Sequence, residues 1–110
     1  MASRYELIHH PAAATDYAAA REYFEDIDPD LAKIFQTDFR SALQGIASGR
    51  LVSHLYARGH SIRWVKLRRF SHKVYFEAAD EKVRFVLGVI SGKRHPTRIR
   101  LLLSRRRKKQ

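Results

Sequence analysis

Cysteine is absent from the 110 residues of this chain. Its absence excludes disulfide frameworks and thiolate metal sites, and it fits a reducing compartment. No apolar run approaches the roughly 18 residues that a membrane-spanning helix needs. The first residues also lack the apolar stretch of a secretory signal. We therefore expect a cytoplasmic protein that does not enter a membrane.

Glycine is scarce as well, with five residues scattered along the chain. The sequence contains neither a GxSxG nucleophile elbow nor a glycine-rich phosphate-binding loop. His9 and His10 are adjacent, and neighbouring residues of a strand point to opposite faces, so this pair is a poor metal site. We expect no metal and no other cofactor.

Acidic residues are unevenly distributed. Residues 1–50 contain eight acids and five bases, whereas residues 51–110 contain three acids and seventeen bases. The formal net charge of +11 therefore comes from the second half of the chain. Such a surface suits a polyanion, nucleic acid foremost, or an acidic protein. A charged surface that serves solubility alone is the alternative.

The first half of the chain is predicted to form a short strand and two helices. Residues 5–9 alternate between apolar and polar side chains, which is typical of a strand. Residues 12–27 have one apolar stripe at helical spacing. A second helix is predicted over Pro29–Ser48, with Asp28 as its N-cap and Gly49 just beyond its end.

The second half is predicted to form three strands, at residues 62–67, 73–78 and Val83–Ile90, joined by short connections. Short connections favour antiparallel pairing. The sequence thus predicts an α+β fold of order β-α-α-β-β-β, with a helical hairpin packed on a small, mainly antiparallel sheet. The first strand is expected at an edge or beside a later strand. We assign residues 1–98 to a single domain and residues 99–110 to a basic C-terminal tail with a frayed end.

The segment LRRFSHKVYFEAADEKVRFVLGVISGKRHP, residues 67–96, resembles the RelE/ParE toxin superfamily. A basic strand end is followed by phenylalanine, then by a strand with tyrosine, an acidic turn, a valine-rich strand and a basic turn with glycine and proline. The resemblance extends over about residues 5–98. His72 and Ser91 depart from the pattern, since an aromatic residue and a histidine are common there.

The resemblance implies the toxin of a bacterial type II toxin–antitoxin system, which arrests growth and is neutralised by a cognate antitoxin. A shared fold does not determine the target. ParE-like members inhibit DNA gyrase and have no known catalytic site, whereas RelE-like members cleave mRNA on the ribosome. If the chain is RelE-like, the catalytic residues are Lys73, Arg94 and His95.

We favour the ParE-like interpretation, because no tyrosine follows Tyr75 and a C-terminal tyrosine is common in RelE-like toxins. Tyr23 and Phe24 are the predicted antitoxin contacts. A non-toxic, basic nucleic-acid-binding protein is the remaining alternative. Trp64 could stack on bases, although a core position is the commoner role of such a residue. The residues predicted to bind the target are Arg69, Lys93, Arg94, Arg98 and Arg100.

Overall fold

The computed structural model describes residues 3–58, 61–78 and 80–108. The α+β class and the predicted order of elements are confirmed, and two elements are added, a short strand and a C-terminal helix. In chain order the elements are β1 (Glu6–His9), α1 (Pro11–Ile27), α2 (Pro29–Ser48), β2 (His54–Leu55), β3 (Ile62–Lys66), β4 (Lys73–Glu77), β5 (Val83–Ile90) and α3 (Pro96–Lys108).

The five strands form one sheet in the order β1-β5-β4-β3-β2. The three pairs β2–β3, β3–β4 and β4–β5 are antiparallel, and β1 pairs in parallel with β5. The first strand therefore lies both at an edge and beside a later strand. The sheet is mainly antiparallel, as predicted.

The helical hairpin is built around Asp28, which ends α1 and begins α2. Its backbone N–H donates to the carbonyl of Phe24 at 2.9 Å, and its carboxylate accepts from the N–H of Asp30 at 2.9 Å. Pro29 then occupies the first helical position, where its missing N–H has no cost. Gly49 ends α2 at a φ of 73°, a left-handed conformation that favours glycine.

The hairpin covers one face of the sheet. Phe35 is fully buried in this layer, where residues of α1 and α2 meet alternate residues of β3 and β4. The alternation follows from the strand period of two. On β5 the buried residues Val86 and Val89 are three apart, because the β4–β5 register shifts between Tyr75 and Phe76. The buried members of this first cluster are Ala13, Phe35, Ala42, Ile46, Val65, Leu67, Val74, Phe76, Val86 and Val89.

Helix α3 packs on the opposite face of the sheet, so β5 is covered on both sides, as its apolar sequence predicted. Residues 96–108 are thus a packed helix, where the sequence analysis expected a tail with a frayed end. The reason is local: Ile99 and Leu103, four residues apart, are both buried against the sheet. Lys109 and Gln110 lie outside the described residues. The buried second cluster comprises Ile62, Tyr75, Leu87, Ile90, Ile99 and Leu103.

Candidate functional site

A groove of about 610 Å³ lies between α1, the β3–β4 turn and the β5–α3 turn; we call it the hairpin groove. Its apolar side is exposed to an unusual degree, because Tyr23 is 64% and Ile27 60% accessible to solvent. Apolar residues left this open often mark a place where another molecule binds. The groove is lined on its apolar side by Ala20, Tyr23, Phe24, Ile27 and Phe70, and on its charged side by Arg69, Lys93 and Arg94.

The β3–β4 turn is fixed to α2 by Asp38, a buried carboxylate in the middle of that helix. It accepts hydrogen bonds from the backbone N–H of Arg69 at 2.8 Å and from its guanidinium at 2.6 and 3.1 Å. Burial alone would raise the pKa of Asp38, but the hydrogen bonds from Arg69 and the charges of Arg69 and Arg68 hold it below its ordinary value. An ionised carboxylate therefore anchors one side of the hairpin groove.

Gly92 brings the two turns together. Its N–H donates to the carbonyl of Ser71 at 3.0 Å, and a Cβ at this position would lie 2.6 Å from the same oxygen. Only glycine permits so close an approach between the two backbones. The contact places Lys93 and Arg94 on the same groove as Arg69.

A histidine lies among the aromatic rings beneath the hairpin groove. The ring of His72 lies 5.7 Å from Phe24, 5.2 Å from Phe35 and 6.5 Å from Phe70, measured between centroids. Burial, and secondarily the charge of Arg94, lowers the pKa of His72. Its Nδ1 is buried and has no hydrogen-bond partner within the described ranges. The charged lining of the groove consists of Arg69, Lys93 and Arg94 together with the carboxylate of Asp16, which is paired with Arg106.

The structure brings five of the predicted contact residues together in this groove. Tyr23 and Phe24, expected to bind an antitoxin, and the cations expected to bind the target line the same space. Arg98 and Arg100 lie elsewhere, on α3. The groove residues predicted from sequence are Tyr23, Phe24, Arg69, Lys93 and Arg94.

The three residues proposed for RNA cleavage have different surroundings. The ammonium group of Lys73 lies over the ring of Trp64, 4.1 Å from its centroid. Arg94 lines the hairpin groove. His95 caps α3, since its Nδ1 accepts from the N–H of Thr97 at 3.1 Å and its carbonyl accepts from Ile99.

Trp64 is half-buried and packs against the second cluster, so it belongs partly to the core. The ring of His54, on the neighbouring edge strand, lies 4.5 Å from it between centroids. Together with Lys73, these rings form a small aromatic and cationic surface on the face of the sheet that α3 also covers. The sequence alone did not associate His54 with Trp64, because β2 has only two residues.

The sequence analysis also missed that two arginines of α3 point inward. Arg106 donates to both oxygens of Asp16, at 2.6 and 3.1 Å, and that carboxylate accepts from the N–H of Val89 as well. Arg107 donates to Glu77 at 2.8 Å. A side chain at Gly88 would clash with the Arg106 guanidinium. A lone glycine inside a valine-rich strand was the available signal of this close approach.

The described residues also bear on metal binding and on membrane insertion. Among residues 3–58, 61–78 and 80–108, no three histidine or carboxylate side chains come together in a way that could hold a metal ion. His10 caps α1, its Nδ1 accepting from the N–H of Ala12 at 3.0 Å. No helix in the described part of the chain has the length and apolar character to span a bilayer.

The comparisons with known proteins address the fold. No protein-family model matches the sequence, and no curated protein matches it. A solved structure described as the chromosomal ParDE TA (toxin–antitoxin) system from P. aeruginosa contains a similar chain. The TM-score is 0.66 over 80% of this chain and 96% of that chain, at 18% sequence identity. The fold is RelE/ParE-like. The predicted fold is therefore confirmed by its similarity to a known structure.

Proposed function

We propose that this protein is the toxin of a bacterial type II toxin–antitoxin system, that it acts in the cytoplasm by inhibiting DNA gyrase in the ParE manner, and that a cognate antitoxin neutralises it. The observation that carries the proposal is the fold shared with the ParDE chain along 96% of that chain's length. The residue pattern of segment 67–96 supports the same class.

The choice of gyrase over mRNA depends on what RNA cleavage requires. A base must accept the 2′-hydroxyl proton, cations must stabilise the phosphate, and an acid must protonate the leaving oxygen. No tyrosine follows Tyr75, Nδ1 of His95 is engaged in capping α3, and Lys73 lies over an indole ring. These surroundings favour a surface that binds its target over a site that cleaves RNA.

The hairpin groove is the proposed antitoxin site. An apolar wall beside a cationic rim suits a peptide that carries both apolar and acidic side chains. Such a peptide would place its apolar residues against Tyr23 and Ile27 and its carboxylates beside Lys93 and Arg94. Because those two cations are also proposed target contacts, occupation of the groove by the antitoxin would remove them from the target. Neutralisation would then follow from direct competition.

A gyrase assay with purified protein tests this proposal. We expect inhibition of supercoiling with accumulation of cleaved DNA, and we expect the double variant Lys93→Gln/Arg94→Gln to lose at least about 2.7 kcal/mol of binding to its target, a hundredfold weaker inhibition. The matched control is Arg40→Gln/Arg50→Gln, which removes the same charge from exposed positions in and just after α2. The control is expected to inhibit as the wild type does.

A further variant separates gyrase inhibition from RNA cleavage. Lys73→Ala/His95→Asn removes two of the proposed catalytic groups, and asparagine retains the ability to cap α3. We expect this variant to inhibit gyrase fully. The proposal is wrong if stoichiometric excess of the wild type leaves supercoiling unchanged. Ribosome-dependent mRNA cleavage that this variant abolishes would establish the RelE-like alternative instead.

A further inference from the structure

The arginines of α3 fall into two groups with different environments. Arg106 and Arg107 turn toward the sheet and pair with carboxylates. Arg98, Arg100 and Arg105 are exposed, and no ion pair with a carboxylate is found for them among the described residues. No aspartate or glutamate occurs in the sequence after residue 81. The helix therefore presents a positive outer surface that the rest of the protein does not neutralise.

Helical geometry arranges the exposed arginines along two flanks. With 3.6 residues per turn, Arg98 and Arg105 lie about two turns apart on one flank, and Arg100 lies on the other. Between the flanks runs an outer ridge of uncharged side chains. The ridge consists of Thr97, Leu101 and Ser104.

We propose that this outer face of α3 binds duplex DNA directly, through phosphate contacts from both flanks. A helix fits within the major groove of B-form DNA, where cations on its two sides can reach the phosphates of both strands. The inference rests on the proposed function, because gyrase acts on DNA. It gives this protein a second partner, duplex DNA, besides the gyrase protein itself. The ridge presents the short hydroxyls of Thr97 and Ser104, which can hydrogen-bond to bases of either kind, so we expect binding that is independent of DNA sequence.

Two observations favour DNA over an acidic protein as the occupant. The outer ridge contains one large apolar side chain, Leu101, which is 47% exposed, whereas protein interfaces depend on a buried apolar centre. The hairpin on the opposite face of the sheet, residues 11–48, contains seven acids and three bases. A polyanion is thus attracted to the α3 face and repelled from the hairpin, which orients the protein on it.

The test is the salt dependence of binding to a short labelled duplex, measured by fluorescence anisotropy without gyrase. Each phosphate contact contributes about 0.9 to the slope of log K against log salt concentration. We expect Arg98→Gln/Arg100→Gln/Arg105→Gln to reduce that slope by about 2.7 and to weaken binding at least about tenfold. Glutamine is a good helix former, and circular dichroism checks that the variant stays folded.

The control is again Arg40→Gln/Arg50→Gln, which is expected to keep the wild-type slope. The control removes two charges and the α3 variant removes three, so an equal effect per charge removed would show that net charge alone drives binding and would overturn the inference. So would an unchanged slope in the α3 variant, or binding to an acidic polypeptide as tight as binding to DNA. If the wild type inhibits gyrase but does not bind the duplex, the inference fails while the proposed function stands. If it binds the duplex through α3 but leaves gyrase unaffected, the proposed function fails instead.

Discussion

The Phe35→Ala variant is expected to lose about 4 kcal/mol of unfolding free energy, as fully buried phenylalanines do when truncated. The ring of Phe35 lies 5.0 Å from the rings of both Phe24 and Phe70 and 5.8 Å from that of Tyr17, between centroids. Its removal leaves a cavity where α1, α2 and the β3–β4 turn meet. Urea denaturation followed by circular dichroism measures the loss.

The matched control for this prediction is Tyr23→Ala, an aromatic truncation in the same hairpin at a position 64% exposed. We expect it to change stability by less than about 1 kcal/mol. A similar loss in both variants would contradict the packing described for the first cluster. Tyr23 is also a proposed antitoxin contact. We therefore expect the same variant to weaken neutralisation by the antitoxin while the protein stays folded.

The Asp38→Ala variant is expected to lose about 2 kcal/mol of unfolding free energy. The change leaves the N–H of Arg69 without its acceptor and removes two hydrogen bonds from the guanidinium. The figure is smaller than for a fully buried ion pair, because the Arg69 side chain is 51% exposed and water can replace part of the lost pairing. Chemical denaturation at neutral pH provides the measurement.

The dependence of the unfolding free energy on pH provides a second test of the role of Asp38. The pKa of Asp38 is lowered in the folded protein. Its negative charge therefore stabilises the fold at any pH above the ordinary carboxylate pKa, and this contribution is lost as the pH falls through the pKa of the folded state. The stability gap between wild type and Asp38→Ala should therefore narrow in acid. Asp26→Ala, at an exposed position of α1, is the control and should change stability by less than about 0.5 kcal/mol. A gap that stays constant with pH would contradict the role given to the ionised carboxylate.

The hairpin and the three long strands were predictable because their signals are local. The Asp28-Pro29 step and Gly49 fix the bounds of α2, and the periodicity of the apolar residues identifies the face that each helix buries. Helix α3 was missed because its apolar residues, Ile99 and Leu103, stand among arginines and form a helix only where the sheet supplies a second apolar surface. Tertiary packing, more than propensity, stabilises such a helix.

Part of the candidate site could be predicted in the same way. The sequence identified the cations of segment 67–96 and the aromatic residues near the end of α1 as candidate contacts. It did not predict that they line one groove, because that arrangement depends on the contact between Gly92 and Ser71. The sequence named Arg98 and Arg100 as target contacts, but it did not indicate which arginines of the C-terminal segment pair with carboxylates. Only the packing of α3 distinguishes Arg106 and Arg107, which pair with carboxylates, from Arg98, which does not.

The charge distribution gives the two halves of the protein separate roles in this account. The acidic hairpin and the basic α3 lie on opposite faces of the sheet, and the hairpin groove opens beside both. A partner in the groove would contact Lys93 and Arg94 without covering the outer face of α3. If both proposals hold, an antitoxin that prevents gyrase inhibition is not expected to abolish DNA binding.

The measurement that tests the central claim most directly is bacterial growth after induced expression of the chain from a tightly repressed promoter. We expect growth arrest with signs of broken DNA, and we expect Lys93→Gln/Arg94→Gln to relieve the arrest while Arg40→Gln/Arg50→Gln does not. Unimpaired growth of cells that accumulate the folded wild-type protein would contradict the claim that this protein is a toxin.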